Sequence, residues 1–371
     1  MRVAHWVYDL IRGGTEGQCA RTAVGLSERG GAHRVLAFHR RGWFLERVEG
    51  VCGPVEEVRV RKAVSWNTWR ELRRVARWLK REKIDILHTW DADAAVFGQW
   101  AAEWAGVKLV TSRRDLGSIY PAWKRAMLRR ADARAARVVV NAEAVWKHFA
   151  GAGVPAEKLA LIPNILDVAE RDRLAGGEPE RALPPDRGRP GHRMVVVNRL
   201  DPEKNTGLLI RALAKVREQV PDASLWVVGE GVERRGLETL AEACGVADAV
   251  DFLLERHDVP VLLGRCAAGA LVPKANEGLS NTVLEYMAAG LPSLVTDCGG
   301  NAELVADGER GRVVRAGASP EEVAEAWAGM LLESSRSREW GATARRWVAA
   351  RHVPERVLPL FESLYREVAG K

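Results

Sequence analysis

A chain of 371 residues is long for a single hydrophobic core and calls for two domains, while a hydrophobic content of 47% excludes extended disorder. The five cysteines are odd in number and form no Cys-x-x-Cys pair, which argues against a disulfide framework or structural zinc and for a reducing compartment. The net charge of +7 is uneven: residues 1–170 hold the whole basic excess and most of the 14 tryptophans, pointing that half toward an acidic partner or an anionic surface.

The first residues, Arg2 to Leu10, read as a strand rather than a signal-peptide core. No apolar run reaches the length of about 18 residues that a membrane-spanning helix needs. A cytoplasmic protein is expected. Gly13-Gly14-Thr15-Glu16-Gly17 is a tight loop opening a helix through Leu26. Short β-branched runs follow at Arg34–Phe38, Ile84–His88, Lys108–Thr111, Arg137–Val140 and Leu159–Ile162, alternating with helical patterns, as βαβ units do. Between them Trp66, Trp69, Leu72, Val75, Ala76 and Leu79 recur at helical spacing, with Arg70, Arg73, Arg74, Arg77, Lys80 and Arg81 in the gaps. This is an amphipathic helix on the sheet with a solvated basic face; the sharper alternative is a helix resting on anionic lipid.

Residues 170–193 crowd Gly, Pro and charges without an apolar period and read as an exposed linker. A second alternating series begins at Met194–Val197 and continues at Ser224–Val228, Val250–Leu253, Gly269–Val272, Ser293–Val295 and Arg312–Val314. Helical periods fill the intervals, among them Leu208–Val216 and Val323–Leu332. The domains are therefore drawn as 1–169 and 194–352, the linker as 170–193, and a final segment as 353–371. Each domain is an α/β, doubly wound parallel layer.

Candidate chemistry lies at the carboxyl ends of the predicted strands, where doubly wound sheets bind ligands. His88 and Arg113 end two strands of the first half, although a lone histidine is more often structural than catalytic. Asp91-Ala92-Asp93 has the form of a metal-holding pair, but it precedes a helical period, and an aspartate at a helix start needs no metal. Arg199 and Lys204 follow the first strand of the second half and suit a diphosphate. Val228-Gly229-Glu230-Gly231 begins like a dinucleotide fingerprint, but Arg234 stands where its third glycine belongs.

The most informative stretch runs from Lys274 to Gly290. A buried strand closes at Pro273, Glu277-Gly278 sits in a loop, and Val283 to Ala289 reads as a helix, so a helix start faces the strand end. Glu277 and Glu285 are eight positions apart. A fully helical span would separate them by roughly 12 Å, beyond the roughly 5 to 9.5 Å of paired glycosidase carboxylates. Two separate contacts on one long ligand fit better. Thr282-x-x-Glu285 also matches a capping box, in which Glu285 would serve only its own helix.

Taken together these motifs resemble the retaining nucleotide-sugar glycosyltransferases of family 4, which have the GT-B fold of two Rossmann-like domains facing across a cleft. Gly13-Gly14-Thr15-Glu16 looks like the family's Gly-Gly-x-Glu loop, and Ile162-Pro163-Asn164 like its Pro-Asn segment. Asn198-Arg199-Leu200 through Lys204-Asn205 looks like its Gly-Arg-Leu…Lys stretch, and Val228 to Gly231 like its Val-Gly-x-Gly turn. Glu277 to Glu285 matches its Glu-x7-Glu motif.

The resemblance implies that Arg199 and Lys204 hold the donor diphosphate, Glu277 the transferred sugar and Glu285 the ribose hydroxyls. It brings Gly13 and Gly14 and the backbone of Leu279, Ser280, Asn281 and Thr282 to the donor. The turn containing Arg256 would hold the base, and His88, Asp91 and Arg113 stand on the sugar or acceptor side. It also implies a last helix, from Glu355 to Val368, that returns to the first domain. Asn198 departs from the usual Gly, and Arg113 stands where many members have His.

The implied reaction is a metal-independent, retaining hexosyl transfer from a nucleoside diphosphate sugar, UDP-linked in preference and GDP-linked in the alternative. The acceptor would be a glycan or glycolipid at the inner face of the cytoplasmic membrane. No cofactor and no nucleic acid are implied. A nucleotide-sugar epimerase of the same fold, and a non-catalytic protein that binds an anionic surface or polysaccharide, are the rivals.

Overall fold

The computed structural model of the chain describes residues 1–60, 65–184, 190–275 and 277–370. They form two compact units: Met1–Ile165 with Pro354–Lys371, and Leu166–Val353.

In the first unit β1 (Arg2–Val7) leads through a glycine turn into α1 (Gly14–Glu28), then β2 (Ala32–Ala37), α2 (Leu45–Cys52) and the two-residue β3 (Glu56–Glu57). The chain continues with α3 (Trp66–Arg81), β4 (Ile86–Thr89), α4 (Ala92–Ala105), β5 (Lys108–Arg113), α5 (Ala122–Arg134), β6 (Arg137–Val140), α6 (Glu143–Gly151) and β7 (Leu159–Leu161). All strand pairs are parallel, in the order β3-β2-β1-β4-β5-β6-β7, so the winding reverses between β1 and β4. Strands covered on both faces are buried along their length, as all four residues of β4 are.

Within the second unit α7 (Val168–Ala175) precedes β8 (Arg193–Val197), α8 (Thr206–Gln219), β9 (Ser224–Val228), α9 (Arg234–Ala243), β10 (Val250–Leu254), α10 (Val259–Leu263) and β11 (Ala268–Leu271). Next come α11 (Asn281–Ala288), β12 (Ser293–Thr296), α12 (Asn301–Val305), β13 (Gly311–Val314), α13 (Pro320–Leu332) and α14 (Ser334–Arg351). This sheet, also parallel, has the order β10-β9-β8-β11-β12-β13 and reverses between β8 and β11. The two doubly wound layers expected from the alternation are both present, and most strand limits fall within two residues of the expected ones.

The last helix, α15 (Pro354–Ala369), belongs to the first unit. Its Leu358 lies on Gly25 of α1, where an added Cβ would stand 2.7 Å from Leu358 Cδ1. Val357, Phe361 and Leu364 join the core formed by β1, β2, β4 and α1. Arg29 binds Glu362 at 2.6 Å, and Arg137 binds Glu367.

Two expectations change. Within the stretch expected to be an exposed linker, 168–175 is helical, with Asp167 accepting from Glu170 N at 2.8 Å as its cap. The one buried side chain of that helix is Arg171, so a charge occupies the inward position and no apolar period marks it. Residues 185–189 of the same stretch lie outside the described residues. In α3, Thr68, Leu72, Val75, Ala76, Trp78 and Leu79 face inward, as expected of a helix packed on the sheet with a solvated basic face. Trp69 packs edge-on to Trp100 of α4, whereas Trp66, at the helix start, is 75% exposed instead of joining the buried stripe. Among the described residues no helix is long and apolar enough to cross a membrane.

Candidate active site

At the switch point of the second sheet, β8 and β11 end side by side, and one side chain fixes both ends. Tyr286 of α11 is fully buried; its hydroxyl accepts from Val197 N at 2.7 Å and donates to Ala270 O at 3.3 Å. Its ring lies on Gly269, where a Cβ would come within 2.3 Å of it, so only glycine fits beneath it. On the other side of β8, Gly229 (φ +136°) lets the β9 turn approach: a Cβ there would stand 1.9 Å from Asn198 O.

From this base the chain after β8 runs through Asn198 and Arg199 into a 3-10 turn, Pro202–Lys204, whose Glu203 O accepts from Lys274 N at 2.9 Å. That bond ties together the loops leaving β8 and β11. Lys204 Nζ then meets Glu277 Oε2 at 2.8 Å, with side-chain exposures of 25% and 15%. Gly299 and Gly300 hold the Glu277-Gly278 backbone from behind, Gly300 N donating to Gly278 O at 2.8 Å. Arg199 is 79% exposed and bonded to Asp201 at 3.1 Å, at the rim of the same end of the sheet.

Ser280, not Thr282, caps α11: its Oγ accepts from Val283 N at 3.3 Å. Glu285 therefore lies five residues beyond the cap and not three, and the capping-box explanation of it fails. Leu279 and Ser280 are buried and Asn281 and Thr282 half-buried at the positive end of the helix dipole, with half-buried Glu285 a turn further on. The pair Lys204–Glu277, Arg199 and the start of α11 thus converge on one strand-end crevice of this unit.

Arg256 is tied into the turn expected to hold the base. Its guanidinium is buried and engages Asp258 with two bonds, 2.8 and 2.6 Å, while Asp258 also accepts from Glu180 N at 2.6 Å. The Asp258 carboxylate, beside Arg256, is held below the usual range and the guanidinium above it. Arg256 is thereby committed to bracing its own turn, through a partner only two residues away.

In the first unit, two of the candidate residues are buried and internally bonded. His88 is fully buried, with Nδ1 at 2.6 Å from Tyr365 Oη, Nε2 at 2.8 Å from Ser112 Oγ, and Trp90 stacked on its ring at 4.5 Å. Burial, helped by the charge of Arg114, pushes its pKa down to about 3. Nδ1 serves the contact with α15 and Nε2 the contact with β5, so both nitrogens are engaged within the unit. Arg113 is likewise buried and doubly bonded to Asp132 of α5, at 2.6 and 3.1 Å.

Asp91 caps α4, accepting from Ala94 N at 2.9 Å, and Asp93 pairs with Lys124 at 2.8 Å, as aspartates at a helix start do. Burial lifts the Asp91 pKa to about 7. Gly13 is the N-cap of α1, and Glu16 folds over it so closely that a Cβ would meet Glu16 Oε2 at 1.9 Å. Arg114, at the same strand end, bonds Asn164 and lies 5.4 Å over the Trp90 ring.

Residues 12–170 match the family model Glycosyltransferase Family 4, and residues 189–347 match Glycosyl transferases group 1. The GDP-mannose-dependent alpha-(1-6)-phosphatidylinositol monomannoside mannosyltransferase of Mycobacterium tuberculosis is 35% identical over 212 residues, 54% of this chain and 54% of that protein. The chain spans about half the length of the curated relatives it matches. Among solved structures, HepE of Anabaena in complex with UDP aligns with a TM-score of 0.83 at 22% identity, over 99% of this chain and 100% of that one. WaaG, a glycosyltransferase involved in lipopolysaccharide biosynthesis, aligns at 0.72 and 21% over 100% of each chain. At such identities the likeness is one of fold, here the GT-B fold.

Proposed function

The chain belongs to the family 4 glycosyltransferases, with a group 1 domain as its second half, and from that premise we propose that it moves a glycosyl unit from a nucleoside diphosphate sugar to an acceptor hydroxyl with retention. The observation that carries this reading is the Lys204–Glu277 pair, 2.8 Å apart at the β8/β11 switch point beside the start of α11.

A diphosphate entering there offers Lys204 a stronger anion than Glu277, and the exchange releases the Glu277 carboxylate to a sugar hydroxyl. Exposed Arg199 adds the second cation. Glu285 takes the ribose hydroxyls. As the bond between the anomeric carbon and the phosphate oxygen breaks, negative charge grows on the leaving diphosphate, where fixed cations act most. The acceptor oxygen bonds to the same face of the sugar, and its proton passes to the leaving phosphate oxygen. Neither a carboxylate nucleophile nor a metal is required by this route.

For the base, the mannosyltransferase relative is GDP-mannose-dependent by name, while UDP-bound HepE is alike in fold. GDP-mannose therefore joins UDP-glucose at the head of the donors to test. For the acceptor, a glycolipid on an anionic membrane fits the first unit, where Trp66 (75% exposed) begins a helix whose Arg70, Arg73, Arg77, Lys80 and Arg81 face solvent. The decisive experiment offers each donor with and without phosphatidylinositol mannoside or lipid A core acceptors, and determines the anomeric configuration of any product by NMR. Donor consumption without an acceptor would point to the epimerase instead, and absence of nucleotide binding would remove the enzyme reading.

A further inference from the structure

The second unit buries one charge that the proposed reaction does not use. Arg171, on α7, is 5% exposed, and neither its Nε nor its Nη2 finds a hydrogen-bond acceptor among the described residues. A buried guanidinium with unmet donors is an unfavourable arrangement unless some state of the protein supplies the acceptor. Its neighbour Asp172 is already engaged by Arg345, at 2.9 and 2.5 Å. Arg345 also donates to Ala288 O at 2.5 Å, and so fastens α7 to the end of α11. That attachment ties the helix of Arg171 to the helix that carries Glu285. Of the acidic groups acting on Arg171, Glu285 acts most strongly, ahead of Asp172.

We propose that Arg171 is a positioning residue for Glu285: the guanidinium takes one carboxylate oxygen from the interior, leaving the other turned toward the ribose hydroxyls of the nucleotide. The inference rests on the ribose-binding role given above to Glu285. Glu285 is half-buried, and closing the Arg171 contact would satisfy donors that otherwise lack acceptors. Ribose binding and the internal contact therefore reinforce each other.

The test is calorimetric titration of UDP, GDP and their 2′,3′-dideoxy analogues against the full chain and its Arg171→Met, Arg171→Lys, Glu285→Gln and Arg171→Met/Glu285→Gln variants. Methionine fills the space without the charge, and replacing an uncompensated buried charge by an apolar side chain tends to preserve or raise stability; lysine keeps a charge should methionine fail to fold.

Arg171→Met is expected to weaken binding of the better ribonucleotide by about tenfold and leave the dideoxy analogue unaffected. Arg171→Lys should fall between, and the double variant should bind no more weakly than Glu285→Gln alone. If Glu285→Gln weakens binding and Arg171→Met does not, the positioning role is overturned. Equal losses for ribose and dideoxy ligands would overturn it too, as the mark of a purely structural residue. Unchanged affinity in Glu285→Gln removes the ribose role of Glu285 itself, and with it this inference, a result distinct from either of the others.

Discussion

Replacing Tyr286 by Phe should loosen the crevice while leaving its shape intact. The ring stays on Gly269, but Val197 N–H loses its acceptor at 2.7 Å and Ala270 C=O its donor at 3.3 Å. Tyr286 and Ala270 are fully buried and Val197 is half-buried, so water does not readily replace the hydroxyl. An orphaned buried polar group costs about 1–3 kcal/mol; the longer bond to Ala270 belongs at the low end, giving about 2–4 kcal/mol in all. For a unit of this size each kcal/mol moves the midpoint by roughly 2–4 °C, so a fall of about 5–12 °C is expected.

The assay is differential scanning calorimetry, following the transition that nucleotide raises, since ligand stabilises the unit that binds it. Nucleotide affinity should weaken as well, because Asn198 and the loop from Pro273 to Glu277 leave from the two strands that Tyr286 joins. As a control, Gly269→Ala should destabilise the same transition by overpacking against the ring. A Tyr286→Phe midpoint within about 1 °C of the parent would refute the idea that this hydroxyl holds the strand ends.

Lys204→Ala should lower kcat by roughly 10²–10³ with the melting curve nearly unchanged, measured in a donor-consumption assay; near-normal turnover would take Lys204 out of the site. Activity should persist in excess EDTA, since Asp91 caps α4 and Asp93 pairs with Lys124; loss restored by manganese or magnesium would reverse that assignment. In the first unit burial pushes His33 from 6.5 down to about 4 and His88 down to about 3. Below pH 6.5 the unfolded chain takes up protons that the folded one refuses, so stability falls with pH through the window from 6.5 toward 4. By pH 5 the loss is on the order of 2 kcal/mol per histidine, readable as a drop in urea midpoint between pH 7 and 5, and a flat profile would contradict the buried neutral imidazoles.

What was legible from the sequence was what local spacing decides. The short β-branched runs locate the strands, and the helix after Glu277 follows from the local apolar spacing and from the stop at Gly290. Ser280 as the cap, two residues before Thr282, was within reach of the same reasoning, and so was the Arg256–Asp258 pair. His88 was not. Its fate depends on Tyr365, 277 residues later, whose helix seals the space a strand-end histidine might otherwise open onto. Arg113 depends in the same way on Asp132, and α7 escaped notice because its inward residue is an arginine.

The two switch points show why strand-end position alone is a weak guide to function. Each sheet reverses its winding once, β1 against β4 and β8 against β11, and each places polar side chains at its carboxyl edge. In the first unit the edge groups are largely engaged with one another or with the protein: His88 with Tyr365 and Ser112, Arg113 with Asp132, Asp91 with its own helix. The bonds of His88 and Arg113 are between buried partners, and withdrawing either toward a ligand would leave an unsatisfied group behind. In the second unit the Lys204–Glu277 bond joins two side chains that retain access to solvent, and Arg199 is mostly exposed. A partly exposed ion pair is worth only about 1 kcal/mol or less. A diphosphate can therefore displace Glu277 from Lys204 at little cost. It is on this replaceable partner, and not on the strand-end position common to both sheets, that the proposal of the second unit as the donor side rests.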